Sequence, residues 1–151
     1  MSDGGTQLIY LDSNIFISAA LYDNLSGKNA RQIIKDVRCG DIRASTSTLT
    51  FDEVYWIVKK EKGKEPALKI AKALLHMKNL DLIAVDREIL YSSYDLLEET
   101  CLDPRDSIHL ACALKSGSGL MLSEDSDFDD IEIMENMTME RYLKQRDHNR
   151  N

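Results

Sequence analysis

"DPRDSIHLACALKSGSGLMLSEDSDF", Asp103 to Phe128, is the stretch whose reading decides the fold. Its first half is a helix with marked ends. Asp103 stands where an N-cap belongs. Pro104 suits the first helical position, where its missing N–H would have been unpaired anyway, and Gly117 supplies the stop. "LMLS", Leu120–Ser123, follows as a short buried strand, and an acidic turn comes directly after it.

The same alternation runs through the rest of the chain. Strands are expected at "LIYLD" (8–12), "IRAST" (42–46), "LDLIAVD" (80–86), "LMLS" and, last and short, "IEIM" (131–134). Helical periodicity marks "NARQIIKDVRCG" (29–40), "TLTFDEVYWIVKKEKG" (48–63), "EPALKIAKALLHM" (65–77), "REILYSSYDLLEETC" (87–101) and a short "MERYLKQ" (139–145). Strands alternating with helices predict an α/β/α sandwich, three layers around a mostly parallel central sheet. The 151 residues suit a single domain spanning 1–151, with frayed ends at 1–7 and 147–151.

Composition narrows the class. Hydrophobic residues make up 43% and charged residues 30%, an ordinary globular balance, and no apolar run is long enough to cross a bilayer. The three cysteines, Cys39, Cys101 and Cys112, are far apart and form no CxxC pair, which argues against a disulfide framework or a zinc site. A cytoplasmic protein without a membrane partner is the expectation. The net charge of −7 is not the footprint of a protein that grips nucleic acid by charge alone. It still admits a nuclease whose acids are neutralised by metal. The lysines cluster between 59 and 78, as a solvated helix face or as a patch that contacts a nucleic-acid backbone.

The acidic turn, "LSEDSDFDDI", is not a calcium loop. Counting from Asp125, the sixth residue is Asp130 where an EF-hand needs glycine, and the twelfth is Asn136 where it needs glutamate. In α/β folds ligands gather outside the carboxyl ends of the strands. Asp12 ends the first strand, Asp125 and Asp127 follow "LMLS", and Asp106 opens the helix before it, so these acids can meet at one edge of the sheet. Each also has a structural reading. Asp12 can cap a helix from Ile15 onward, although Ser13 and Asn14 could do so equally well. Glu53 stands three residues after Thr50, the spacing of a capping box. Asp106 suits a helix N-terminus. His109, three residues on, fits a packed core histidine better than a ligand. Asp125 or Asp127 can cap a short helix near Phe128.

Together, "LDSN", "TFDEV", "DPRDSIHLACAL" and "LSEDSDF", in this order and spacing, resemble the four motifs of the PIN domain family, from Leu8 to about Met134. The resemblance implies a metal-dependent endoribonuclease that cleaves single-stranded RNA through a metal-activated water. The family includes the VapC-type toxins of toxin–antitoxin pairs. The acids carried over are Asp12, Glu53, Asp106 and Asp125. Asp12, Asp106 and Asp125 are expected to hold Mg²⁺ or Mn²⁺, with Glu53 holding a water beside the metal. Asp127, Ser123, Ser13 and Asn14 are expected to support them. Lys59, Lys60, Lys62 and Arg105 are candidate RNA contacts. Glu124, Asp129 and Asp130 are expected to face water. The implied partners are single-stranded or structured RNA, a second copy of the chain and an antitoxin protein. The homodimer seam is expected on "TLTFDEVYWIV" and "ALKIAKALLHM", with Tyr55 and Trp56 as anchors. The alternatives are an RNA-processing nuclease without antitoxin and an inert PIN-like assembly module. A haloacid-dehalogenase-like phosphatase is disfavoured because Asn14 stands where it needs a second aspartate. A receiver-like module lacks the paired acids and late lysine.

Overall fold

The computed structural model describes residues 7–151; residues 1–6, within the N-terminal end expected to fray, lie outside the described residues. Five strands, β1 (Leu8–Leu11), β2 (Arg43–Ser47), β3 (Leu80–Ile83), β4 (Leu120–Leu122) and β5 (Glu135–Met137), form one sheet in the order β3-β2-β1-β4-β5. Every pairing in it is parallel. The helices are α1 (Ser13–Leu21), α2 (Leu25–Arg38), α3 (Thr48–Lys62), α4 (Lys64–Leu75), α5 (Arg87–Glu99), α6 (Pro104–Ser116) and α7 (Met139–Arg150).

The strands are short and nearly all apolar because both faces of a parallel sheet are covered. Side chains alternate between two cores. Ile9, Leu11, Leu120 and Leu122 pack with α1, α2, α3 and α4 on one face. Tyr10 and Met121 pack with Ile89 and Leu96 of α5 and Leu110 to Ala113 of α6 on the other. This is the α/β/α sandwich that the alternation predicts.

Of the boundaries that differ from the expectation, three show where tertiary packing decides. β5 lies at 135–137 rather than in "IEIM": Ile131 and Met134 point into the second core from a loop, so their apolar character reports packing and not a ladder. β3 stops at Ile83, before the end of "LDLIAVD", and Asp86 caps α5 by accepting from the Ile89 N–H at 3.0 Å. α7 runs on to Arg150, through residues expected to fray. Buried Met139 anchors its start, and Arg146 is paired with Asp36 of α2.

β1 sits at the point where the strand order reverses, with β2 on one side and β4 on the other. The two chains leaving β1 and β4 diverge from there, opening a crevice at their carboxyl ends. The Asp12 N–H donates to the Leu122 carbonyl at 3.0 Å, which fixes the two strand ends side by side.

Candidate metal centre

Asp12, the first residue past β1, is buried. It is the N-cap of α1 after all: its Oδ1 accepts from the Ser13 N–H at 2.7 Å. Its Oδ2 accepts from the Ser123 hydroxyl at 2.6 Å and from Asn14 Nδ2 at 3.2 Å. Capping and site membership, set against each other as alternatives in the sequence, coexist in one carboxylate. Burial raises its pKa, against the opposing pull of His109, Ser123 and the Ser13 amide. Ser13 supports it through its backbone N–H rather than its hydroxyl.

Ser123 is the hub between the strand ends. Its hydroxyl donates to Asp12 and accepts from the Asp125 N–H at 3.0 Å and from Asn14 Nδ2 at 3.2 Å. Asp125 in turn caps the 3₁₀ turn Ser126–Phe128, accepting from the Asp127 N–H at 2.9 Å. The turn holds its shape because Phe128 is buried beneath it. Asp106 enters from the first turn of α6, and Asp103 at the N-cap position makes no side-chain bond there.

Asp106, Asp125 and Asp127 each present an oxygen within 4.8 Å of the others. Asp127, expected only to support, stands with the other two, while Asp12 lies outside this group of three with both its oxygens engaged. The crowding has an electrostatic signature. Burial, then the charges of Asp125, Asp12 and Asp127, raise the Asp106 carboxyl from 3.8 to about 7. An all-oxygen donor set with uncompensated like charge is the chemistry that a hard divalent cation relieves, so these residues fit a Mg²⁺-class ion.

Glu53 is no capping-box member. α3 begins at Thr48 with Ser47 as its cap, and Thr50, inside the helix, engages Thr46 Oγ1 at 2.7 Å instead. Glu53 Oε1 instead meets His109 Nε2 at 2.6 Å, and the same nitrogen is 3.6 Å from Asp12 Oδ1. The histidine is buried, as a core reading predicts, but it is a polar link between three elements. Its Nδ1 is 2.7 Å from the hydroxyl of Tyr10 on β1. Burial alone would lower its pKa; the Glu53 hydrogen bond and the Asp12, Glu53 and Asp106 charges outweigh that and raise it. Sequence reasoning missed Tyr10 altogether. The available signal was strand alternation, which turns Tyr10 toward α6 while Ile9 and Leu11 face away.

The remaining charges divide. Asp129 and Asp130 are exposed. Glu124 is not merely solvated, as expected: its Oε1 accepts from the Met139 N–H at 2.8 Å and so caps α7. Arg105 is exposed beside Asp106. Lys59, Lys60 and Lys62 occupy the last turn of α3, about 9 to 14 Å further along the helix than Glu53, and Lys60 lies over the Trp56 ring at 5.4 Å. Of the two expected seam anchors, Tyr55 packs against its own core, while Trp56 is 61% exposed. No helix among the described residues is long and apolar enough to cross a membrane.

The PIN domain family model matches residues 9–134. A comparison with curated proteins returns no sequence match. Among solved structures, the chain is similar to VapC20 of Mycobacterium tuberculosis, described as a sarcin-ricin loop cleaving toxin, with a TM-score of 0.66 at 15% identity over 80% of this chain and 92% of that one. It is similar to VapBC2 from Rickettsia felis bound to a promoter DNA fragment, with a TM-score of 0.68 at 15% identity over 87% and 98%. A toxin–antitoxin complex from Klebsiella pneumoniae matches with a TM-score of 0.64 at 20% identity, over 87% and 97%.

Proposed function

The chain belongs to the PIN domain family, and from that premise we propose that it is a divalent-metal-dependent endoribonuclease that hydrolyses single-stranded RNA as the toxin of a toxin–antitoxin pair. The observation that carries this reading is the convergence of Asp12, Asp106, Asp125 and Asp127, with Glu53 held through His109, at the crevice between β1 and β4.

Asp106, Asp125 and Asp127 would hold the ion, Mg²⁺ or Mn²⁺, and Asp12 would add its charge from the buried side. When bound, such an ion lowers the pKa of water to give a nucleophile at neutral pH and stabilises charge on a phosphodiester. The chain's own residues fix the surroundings. Ser123 and Asn14 lock Asp12 to the β4 end, and the Asp127 N–H holds one oxygen of Asp125. Glu53, with one oxygen taken by His109, would hold a water with the other. Arg105, exposed at the mouth, supplies positive charge for a backbone phosphate.

The antitoxin reading has a surface to rest on. An apolar groove of about 550 Å³ lies between α1, α2 and α4, with Arg31, Lys35 and Arg38 among its lining residues. A homodimer is part of the same reading, with exposed Trp56, Leu68 and Leu75 on α3 and α4 as its seam.

The test is incubation of the purified chain with labelled total RNA and Mn²⁺, with and without chelator. Hydrolysis by water leaves 5′-phosphate and 3′-hydroxyl ends. Cyclic 2′,3′-phosphate ends, or full cleavage in chelator, would refute the mechanism. An intact RNA pool would favour an inert assembly module.

A further inference from the structure

We propose that His109, supported by Tyr10, is the positioning residue that aims Glu53 into the acid cluster. The inference rests on the nuclease reading and adds a residue to it.

Glu53 has no partner from its own helix. Thr50, one turn earlier, has its hydroxyl 2.7 Å from Thr46, whose own hydroxyl donates to the Leu11 carbonyl at 2.7 Å. The only hydrogen bond that fixes the Glu53 carboxylate, among the described residues, comes from α6, through His109 Nε2 at 2.6 Å. His109 is itself fixed from a third element, by the Tyr10 hydroxyl at 2.7 Å, with the two rings edge-on at 6.0 Å. Tyr10 and His109 are both buried. A long acidic side chain on one helix is therefore held by a link that crosses to α6, which carries Asp106, and to β1, whose end Asp12 directly follows.

The tautomer follows from the partners. A carboxylate only accepts, so Nε2 must carry a proton toward Glu53. A hydroxyl can give or take, so Nδ1 is satisfied by Tyr10 whether it is protonated or not. The aiming of Glu53 thus does not depend on the charge state of the ring. Partners that orient the residues of a metal site cost about 10- to 100-fold in affinity or activity when removed.

Two amide replacements separate positioning from core filling. In His109→Gln the amide nitrogen reaches the Nε2 position and keeps the donor to Glu53. In His109→Asn the shorter side chain reaches only toward Tyr10. His109→Leu fills the space with neither. Steady-state cleavage of RNA in Mn²⁺ should show kcat down about 10- to 100-fold in His109→Asn and His109→Leu, with KM within about threefold. His109→Gln should stay within about fivefold of wild type, and Tyr10→Phe should lose a few-fold. In a Glu53→Gln background, His109→Asn should cost nothing further, because the two residues act as one unit. Mn²⁺ affinity by titration calorimetry should follow the same order. Equal losses in His109→Gln, His109→Asn and His109→Leu, a fully active His109→Leu, or additive losses with Glu53→Gln would each overturn the proposal. A wild type that binds Mn²⁺ without cleaving RNA would refute the reaction proposed above, and the order of Mn²⁺ affinities among the variants would then decide this inference. Absence of Mn²⁺ binding in wild type would overturn both.

Discussion

Asp106→Asn should make the metal-free protein more stable while abolishing its activity. The Asp106 carboxyl is raised from 3.8 to about 7 by burial and by the charges of Asp125, Asp12 and Asp127. Such a rise would correspond to about 4 kcal/mol if the group were dry. Asp106 is only half-buried, so solvent screening reduces the cost to on the order of 1–2 kcal/mol. Asparagine removes that cost but also loses a favourable charge at the start of α6, worth about 0.3–1 kcal/mol. The net gain expected above pH 7 is on the order of 1 kcal/mol, or about 2–4 °C in melting temperature for a chain of this size.

The pH dependence has a definite sign. The folded value lies above the unfolded one, so the folded chain holds a proton that the unfolded chain has released between these two pH values. The Asp106 contribution in the metal-free protein is therefore most favourable near pH 4, is lost as pH rises through about 7, and then levels off. The buried Asp12, also raised, acts in the same direction. So does His109, whose raised folded pKa contributes stability that is lost as pH rises through it. The assay is thermal or urea unfolding in chelator at steps from pH 4 to pH 8, for wild type and Asp106→Asn. The advantage of the variant should be largest at pH 8 and shrink toward pH 4. Saturating Mn²⁺ should reverse the order, because wild type gains about 2.7 kcal/mol at a hundredfold excess over Kd and the variant gains less. A variant less stable than wild type at pH 8 in chelator would refute the argument that these acids repel in the folded state.

Other perturbations separate the charges of the acidic turn from the scaffold around it. Asp125→Asn should abolish cleavage and most of the Mn²⁺-linked rise in melting temperature, and Asp127→Asn should reduce both; Asp129→Asn and Asp130→Asn should change neither, as measured by the same cleavage and melting assays. Glu124→Ala should leave cleavage near wild type but destabilise by about 1 kcal/mol in urea, because it removes the cap on the Met139 N–H. Gly27→Ala should cost several times more and lower the yield of folded protein, since a Cβ there would stand 1.8 Å from the Tyr22 carbonyl oxygen. Light scattering at micromolar concentration should find a dimer that Trp56→Ala weakens; a monomeric wild type rejects the seam on α3 and α4.

The order of elements was legible because each rests on a local signal: Asp103, Pro104 and Gly117 around α6, and apolar runs too short for helices at β1 and β4. What failed was where local character and tertiary role part. α1 is embedded among α2, α3 and the sheet, so "IFISAAL" has no polar face and shows only weak periodicity. "IEIM" carries apolar residues that pack without pairing, while "ENM" pairs with β4 despite its polar composition, since an edge strand needs backbone partners more than apolar side chains. α7 is polar almost throughout. Its apolar contacts, Met139, Tyr142 and Leu143, cover only its first turns, and beyond them it is held by Arg146 with Asp36, a pairing that leaves no sequence period.

The acids raise a sharper version of the same point. Asp12, Asp106 and Asp125 could be nominated because strand ends and helix starts are local features, and the parallel fold brings them to one crevice. Their division of labour was not readable. Asp12 and Asp127 differ in their surroundings: Ser13, Ser123 and Asn14 occupy the oxygens of one, while nothing occupies those of the other among the described residues. Asn14 reaches Asp12 locally, from two residues on, but Ser123 is tied to it by the register between β1 and β4, which pairs Leu11 with Leu122 and so sets Asp12 beside Ser123. Slipping that register by one residue would turn the side chains of β4 to opposite faces. Leu122 would leave the first core, Met121 the second, and Asp125 would move off the cluster. The apolar packing of the paired segments 9–11 and 120–122 and the geometry of the acid cluster are therefore fixed by the same ladder. A change that loosens it, such as Leu122→Ala, should lower stability by about 2–5 kcal/mol and lower Mn²⁺ affinity with it. A Leu122→Ala protein that unfolds more easily yet binds Mn²⁺ as wild type does would show that the site is held by its own hydrogen bonds and not by the strand register.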